Sequence, residues 1–336
     1  MKCAPVAIIT LNRYEHLKCC IESLNANSFA ENTDLYISVD YPPSEKYVEG
    51  YKKVKEYLSS VTGNFKSINL FYQTANLGAF NNIDFLKNEI YKKHDSLILL
   101  EDDNEVALNF LDFCNKGLVK FKDDPEVMYI NGTNYVWSGN GFIPRNDRPY
   151  KNGLVFKRQV LWHGYATWKK TDELIRKVSC TEYIKYGKNI KTMFILYKKS
   201  RFFFYAYIRD VLLSNKKKLP WVNGKIYPID SVINTYLLTH DKYVICPDVN
   251  LIRDRGMDGS GLNFKEKLDE HEHLLSLEIS QEREFKMTEG ETEYSYVEIE
   301  KHDRYGLPKW YKRIVFLLGL LLYWMNIIVI EENDSL

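Results

Sequence analysis

Residues 97 to 113 read LILLEDDNEVALNFLDF, and this stretch decides the fold. Leu97, Ile98, Leu99 and Leu100 form the short unbroken apolar run of a strand covered on both faces, typical of parallel sheets. Such a strand ends inside the fold. Glu101, Asp102 and Asp103 therefore stand at the carboxyl edge of a sheet, where open α/β folds place their ligand crevices. Packed together, carboxylates repel and raise one another's pKa unless a cation or hydrogen-bond donors compensate. A hard divalent cation with oxygen ligands, Mg2+ or Mn2+, satisfies them, above all one that also holds a diphosphate. The plainer alternative is a solvated turn whose acids cap a helix starting near Val106.

Strand and helix signals alternate upstream of this run. Val6 to Leu11 and Leu35 to Val39 read as strands, with an amphipathic stretch from Glu15 to Leu24 between them. Tyr47, Val48, Tyr51, Val54, Tyr57 and Leu58 recur at helical spacing, Ile68 to Tyr72 returns to strand, and a helix from about Ala79 to Lys92 leads into Leu97. This order predicts an α/β fold with a mostly parallel, doubly wound sheet. Its strand ends bring Asn12 and Arg13, Asp40, and the acidic triplet to one crevice. A cation for phosphates, an acceptor for base or ribose and a metal ligand are what a nucleotide diphosphate with a metal requires. No G-x-G-x-x-G follows the first strand and no G-x-x-x-x-G-K-[ST] occurs, which disfavours dinucleotide binding and P-loop chemistry.

Farther on, residues 124 to 136 read as another strand, 138 to 153 as a loop, and 160 to 175 as an aromatic segment. Residues 198 to 221 mix bases with aromatics, a texture of a helix near a membrane surface more than of a nucleic-acid face. Asp230 precedes an apolar stretch as an acid at a helix start, where capping is the structural explanation. Residues 254 to 263, DRGMDGSGLN, have the glycine density of a mobile loop.

The chain has 336 residues and a formal net charge of +1, so no global field selects nucleic acid, and none is expected as a partner. Its six cysteines lack C-x-x-C spacing and read as reduced core residues, not a disulfide framework or zinc site. The amino terminus has too short an apolar run for a secretory signal. Residues 314 to 330, IVFLLGLLLYWMNIIVI, carry no charge and follow the basic, aromatic KWYKR. Seventeen helical residues would cover about 25 Å, so membrane attachment, spanning or monotopic, is expected, with the basic border on the cytoplasmic side; the alternative is a buried core helix or helical hairpin element packed on the domain.

APVAIITLNRYEHLKCCIESL, YISVD, TANLGAFNNI (74 to 83), LILLEDDNEVALNFLDF, HGYATWKK and PIDSV followed by GMDGSG occur in an order that resembles GT-A glycosyltransferases. The match, over about residues 4 to 263, is to bacterial polysaccharide enzymes of the capsule or O-antigen type, with a more distant similarity to the N-acetylglucosaminyltransferase I family. The resemblance implies a Rossmann-like sheet with a nucleotide-sugar crevice. It divides the chain into a nucleotide-sugar half (1 to 130), an acceptor half (131 to 300) and a membrane-associated helix and tail (301 to 336). It makes Asp103 the direct metal ligand and Asp230 the general base that deprotonates the acceptor hydroxyl. Glu101 and Asp102 would contact sugar and ribose or order the metal shell, Asp40 would receive the base, and Arg13 would lie beside base or phosphates. Thr10, Asn12, Asn76, Gly78, Gly259 and Ser260 fall along the same nucleotide-sugar, with the 254 to 263 loop closing over the diphosphate. A His expected after GSG is replaced by Leu262 and Asn263. His163 and Trp162 lie toward the acceptor side, and His163 is read as structural.

The expectation is a Mn2+- or Mg2+-dependent, inverting transferase. It would move a hexosyl or N-acetylhexosaminyl group from a nucleotide-sugar, on the family pattern a UDP-sugar, to a lipid-linked or growing glycan at the cytoplasmic face of a bacterial membrane. Metal and base on separate parts of the chain supply the two sides of the anomeric carbon that inversion needs. A nucleotidyltransferase, which would release pyrophosphate, and a non-catalytic glycan-binding GT-A-like membrane protein are the competing classes.

Overall fold

The computed structural model of the chain describes residues 3–133, 136–137, 142–143, 154–157, 160, 163–209, 229–260, 277–287 and 309–325. Strands β1 (Val6–Thr10), β2 (Asp34–Val39), β3 (Ser67–Tyr72) and β4 (Ser96–Glu101) are joined through α1 (Tyr14–Asn25), α2 (Val48–Ser60) and α3 (Gly78–Tyr91). These are the elements that the periodicity predicts. They pair in parallel in the order β3-β2-β1-β4. The chain thus travels outward from β1 to β3 and returns to the other side of β1. That reversal makes the carboxyl ends of β1 and β4 a topological switch point, where such sheets bind ligands.

Beyond β4 the chain forms β5 (Asn104–Val106), α4 (Phe110–Lys120), β6 (Val127–Asn131), the short pair β7 (Val136–Trp137) and β8 (Phe142–Ile143), β9 (Leu154–Lys157) and β10 (Tyr165–Trp168). Helices α5 (Lys169–Lys177), α6 (Ile190–Lys199), α7 (Arg201–Tyr207) and α8 (Ile229–Thr239) follow, then β11 (Tyr243–Pro247), β12 (Ile252–Asp254) and α9 (Trp310–Trp324). The main sheet has eight strands in the order β3-β2-β1-β4-β10-β6-β11-β9. It is more mixed than the sequence pattern suggested, because β10 runs antiparallel between β4 and β6 and β9 runs antiparallel to β11. The aromatic segment expected on the acceptor side thus supplies a buried strand, Tyr165–Trp168.

Period-two alternation sorts the strand side chains onto two cores. Val6, Ile8, Ile98 and Leu100 join α1, α2 and α4 on one face, while Ala7, Leu97 and Leu99 join α3, α8 and the aromatic helices on the other. Each fully covered Leu of β4 contributes about 1.5–3 kcal/mol of transfer free energy, which anchors the strand and hence the acids at its end. Helix α9 docks by Leu320 and Phe316 on the second core. Among the described residues no helix is long and apolar enough to cross a membrane. Residues 326 to 330 of the apolar run lie outside the described residues. So do Trp162, Leu262, Asn263, most of the 138 to 153 loop and residues 210 to 221 of the basic aromatic segment.

Candidate active site

The acidic triplet does not cap a helix. β4 ends at Glu101, the chain turns into β5 at Asn104, and the next helix begins only at Phe110. Asp102 and Asp103 are 3% and 7% exposed, so neither is a solvated turn residue. Asn104 holds the turn: its Oδ1 accepts the Glu101 N–H at 3.1 Å and its Nδ2 donates to Asp103 Oδ1 at 3.1 Å.

Residues from the β1–α1 turn meet these acids. Thr10, the last residue of β1, donates from Oγ1 to Asp102 Oδ2 at 2.7 Å. The guanidinium of Arg13 forks across both aspartates, donating to Asp102 Oδ1 and lying 2.7 Å from Asp103 Oδ2. Burial by itself would lower the pKa of Arg13, but the charges of Asp102 and Asp103 outweigh it and hold the side chain charged. Arg13 is thus turned inward onto the acids. Asn12 lies in the same turn, its carbonyl packed against Gly50 of α2.

A fourth carboxylate completes the cluster. β12 pairs antiparallel with β5, setting Asp254 opposite Asn104. Asp254 is buried, its Oδ1 accepts the Gly256 N–H at 2.8 Å, and its Oδ2 lies 2.9 Å from Nδ1 of His163. Burial pushes the Asp254 carboxyl up, yet His163 and the Gly256 N–H bring it below the usual range. Burial likewise opposes a charge on His163, and Asp254, with Glu101 and Asp103 behind it, lifts the imidazole to about 9. Burial and then Asp254 push Asp103 up to about 6, and burial and then Asp103 push Glu101 up to about 8. Four carboxyl groups, on Glu101, Asp102, Asp103 and Asp254, thus face two basic side chains, Arg13 and His163, an excess of two acidic groups.

That excess, on hard oxygen donors, matches a divalent cation. A cradle matches it too: a β-carbon on Gly256 would lie 2.2 Å from Asp103 Oδ2 and 3.2 Å from Asp254 Oδ1, so only a glycine fits between the two carboxylates. Among the described residues no three His, Cys, Asp or Glu side chains are grouped to coordinate one ion as they stand. Arg13 lies at Asp103 in this arrangement.

The other expected positions fall around this centre. The 256 to 260 turn is pinned to α1 by His16, whose Nε2 lies 3.1 Å from Asp258 Oδ2, and the Ser260 N–H donates to Asp258 Oδ1 at 2.9 Å. Gly259 has φ +92°, a left-handed conformation that favours glycine. Asp40, at the end of β2, has both oxygens engaged by the chain itself. Oδ1 accepts the Tyr41 and Leu77 N–H groups at 2.9 and 2.8 Å. Oδ2 accepts the Gly78 N–H at 2.9 Å and Asn76 Nδ2 at 3.2 Å. Asp40, Asn76 and Gly78 therefore form one unit that shapes the entry to α3. Asp230 is exposed in the first turn of α8, and its charge bears on Tyr165 of β10, the strand beside β4.

Sequence reasoning did not pick out Asp254, and it read His163 as structural. No local signal marks either: they are ninety-one positions apart and meet only because β12 pairs with β5.

Neither a protein-family model nor a curated protein matches the sequence. Among solved structures the chain is similar to S. aureus TarS, described as residues 1–349 in complex with UDP, at 12% identity over 44% of this chain and 38% of that one, with a TM-score of 0.28. A mannosyltransferase from Pyrobaculum calidifontis, in complex with GDP-Man and Mn2+, matches at 10% identity over 50% of this chain and 46% of that one, with a TM-score of 0.31. A further S. aureus TarS structure matches at 11% identity over 44% of this chain and 23% of that one, with a TM-score of 0.27. The chain spans less than half the length of each. Likenesses of that size decide neither fold nor activity, which rest on the strand order and the site itself.

Proposed function

We propose that the chain is a metal-dependent, inverting glycosyltransferase of the GT-A kind that takes a sugar from a nucleotide diphosphate, a UDP-sugar on the family pattern. The observation that carries this reading is the cluster of four carboxyl groups at the switch point of the sheet, with Asp103 and Asp254 on either side of Gly256. Asp103, with Asp254 across the Gly256 cradle, would hold Mn2+ or Mg2+, which when bound supplies charge neutralisation to a departing diphosphate.

The rest of the work belongs to the chain's own residues. Thr10 and Arg13 fix Asp102, so that the triplet keeps its geometry as charge shifts. His163 keeps Asp254 ionised. The Asp40, Asn76 and Gly78 unit shapes the wall beside which the base would dock, and the turn bearing Gly259 and Ser260 offers backbone N–H groups to phosphate oxygens. Asp230, carried on α8, accepts the proton of the attacking hydroxyl, so that the acceptor approaches opposite the leaving group. The acceptor would be a lipid-linked or growing surface glycan at the cytoplasmic face of a bacterial membrane, which the chain touches through α9.

The test is release of nucleoside diphosphate by the purified full chain from a panel of nucleotide-sugars with Mn2+, compared with Asp103→Asn. Release that depends on both metal and Asp103 supports the reading. Undiminished release by the variant, or pyrophosphate released from a nucleoside triphosphate and a sugar phosphate, overturns it.

A further inference from the structure

Two helices far apart in sequence present an apolar surface that the proposed transfer does not use. α6 buries Met193 and Leu196, and beside that stripe Ile190 and Phe194 are 64% and 56% exposed, with Tyr197 one turn farther on. An exposed apolar row at helical spacing, flanking a buried one, is not what a solvated helix needs.

α9 repeats the pattern. Leu320 is buried, Phe316 lies against Tyr205 with ring centroids 6.0 Å apart, and Trp324 Nε1 donates to the Gly187 carbonyl at 2.7 Å. These three contacts dock one side of α9 along its length. Its other side exposes Ile314, Val315, Leu318, Leu321 and Met325.

The two helices are joined beneath those faces through packed rings. Tyr197 packs on Phe204, Phe204 on Tyr205, and Tyr205 on Phe316, with centroids 5.1, 5.2 and 6.0 Å apart. Neither helix contains an Asp or Glu. Bases rim the apolar rows instead: Lys198 Nζ lies 4.8 Å from the centre of the Phe194 ring, Arg201 lies 5.3 Å from that of Tyr197, and Arg313 and Arg201 both bear on the Tyr205 hydroxyl. Lys199 of α6 is paired to Asp241 at 2.6 Å, while the apolar rings edged by Lys198, Arg201 and Arg313 complement one partner above others, the headgroup and upper acyl layer of an anionic bilayer.

We propose that α6 and α9 form one platform that lies in the headgroup layer of an anionic membrane, with α9 parallel to the surface and not crossing it. Leu320 of α9 is buried against the folded chain and Trp324 is hydrogen-bonded to it, and a helix tied along one side to the folded chain is placed at the surface of a bilayer. This inference rests on the membrane attachment proposed above and is independent of the transfer chemistry.

The experiment is flotation of the full chain with vesicles of phosphatidylcholine alone and of phosphatidylcholine with roughly one-third phosphatidylglycerol. It compares wild type, the Ile190→Glu, Phe194→Glu pair on α6, and Leu318→Glu on α9, with thermal melting and sedimentation run beside it. Wild type should float with the anionic vesicles and come off in high salt. Both variants should bind about tenfold more weakly while melting as wild type does. If wild type floats and only Leu318→Glu weakens it, attachment stands and the two-helix platform is overturned. If wild type does not float, attachment itself fails. If the α6 pair leaves flotation unchanged but turns a dimer into a monomer, the face belongs to a second copy of the chain and the proposal is overturned.

Discussion

Gly256 packs against Asp103 so closely that a β-carbon would stand 2.2 Å from Oδ2 of the carboxylate. The end of a side chain can often move aside, but this one is buried and held by Arg13 and Asn104. Gly256→Ala should therefore push Asp103 out of register with Asp254. The expected cost is about 1–3 kcal/mol of stability, the range for overpacking a closed site. Urea unfolding measures it, and Mn2+ titration by calorimetry should show weakened binding at a temperature where the variant is folded. An alanine variant with wild-type stability and metal affinity would show that the cradle is not needed.

Arg13 is the cation on which Asp102 and Asp103 depend. Arg13→Met leaves two buried carboxylates without it, and breaking a buried pair from one side costs about 3–5 kcal/mol. Arg13→Lys keeps the charge but cannot fork across both aspartates, so its loss should be smaller. Thermal melting in Mn2+ and in chelator separates the two jobs. A divalent cation should raise the melting temperature of Arg13→Met more than that of wild type, because it supplies the missing positive charge. Equal shifts would place the cation away from Asp103.

Asp40 shows how a position matched from a resemblance can also be fully used by the fold. Its oxygens accept four hydrogen bonds, three of them from backbone N–H groups that Asp40→Ala would leave without that partner. The donors sit on exposed or half-buried residues where water can take over in part, so the substitution should cost roughly 1–3 kcal/mol in all. Unfolding measurements report that loss directly. Nucleotide affinity of the residual folded fraction then tells whether Asp40 also meets a base.

What was legible in the sequence follows the range of the forces involved. The run from Leu97 to Leu100 and the helical spacing upstream are local signals, so the parallel half of the sheet and the position of the triplet could be read directly. β10 could not. Tyr165, Ala166, Thr167 and Trp168 are all buried, which removes the alternation that marks a strand, and their antiparallel direction is set by the neighbours β4 and β6. The acidic site was legible on the triplet's side and hidden on the other. Asp254 sits in a glycine-rich stretch that reads as a loop, and only its pairing opposite Asn104 makes it a buried carboxylate beside His163. Asp40 was visible as a strand end, but its capture by the turn before α3 was not.

Asp230 poses the sharpest choice, because an acid in the first turn of a helix has a structural explanation at hand. Asp230→Asn separates the two. Asparagine caps a helix start about as well as aspartate, and the residue is exposed, so stability should stay within about 0.5 kcal/mol of wild type. Asparagine cannot take a proton from an acceptor hydroxyl. Transfer to the acceptor should therefore fall by roughly 10²–10⁴ while nucleotide-sugar binding is kept. Calorimetry with the nucleotide-sugar, unfolding by urea and the transfer rate together check this. A variant that binds, folds and transfers as wild type does would return Asp230 to a capping role and require another base.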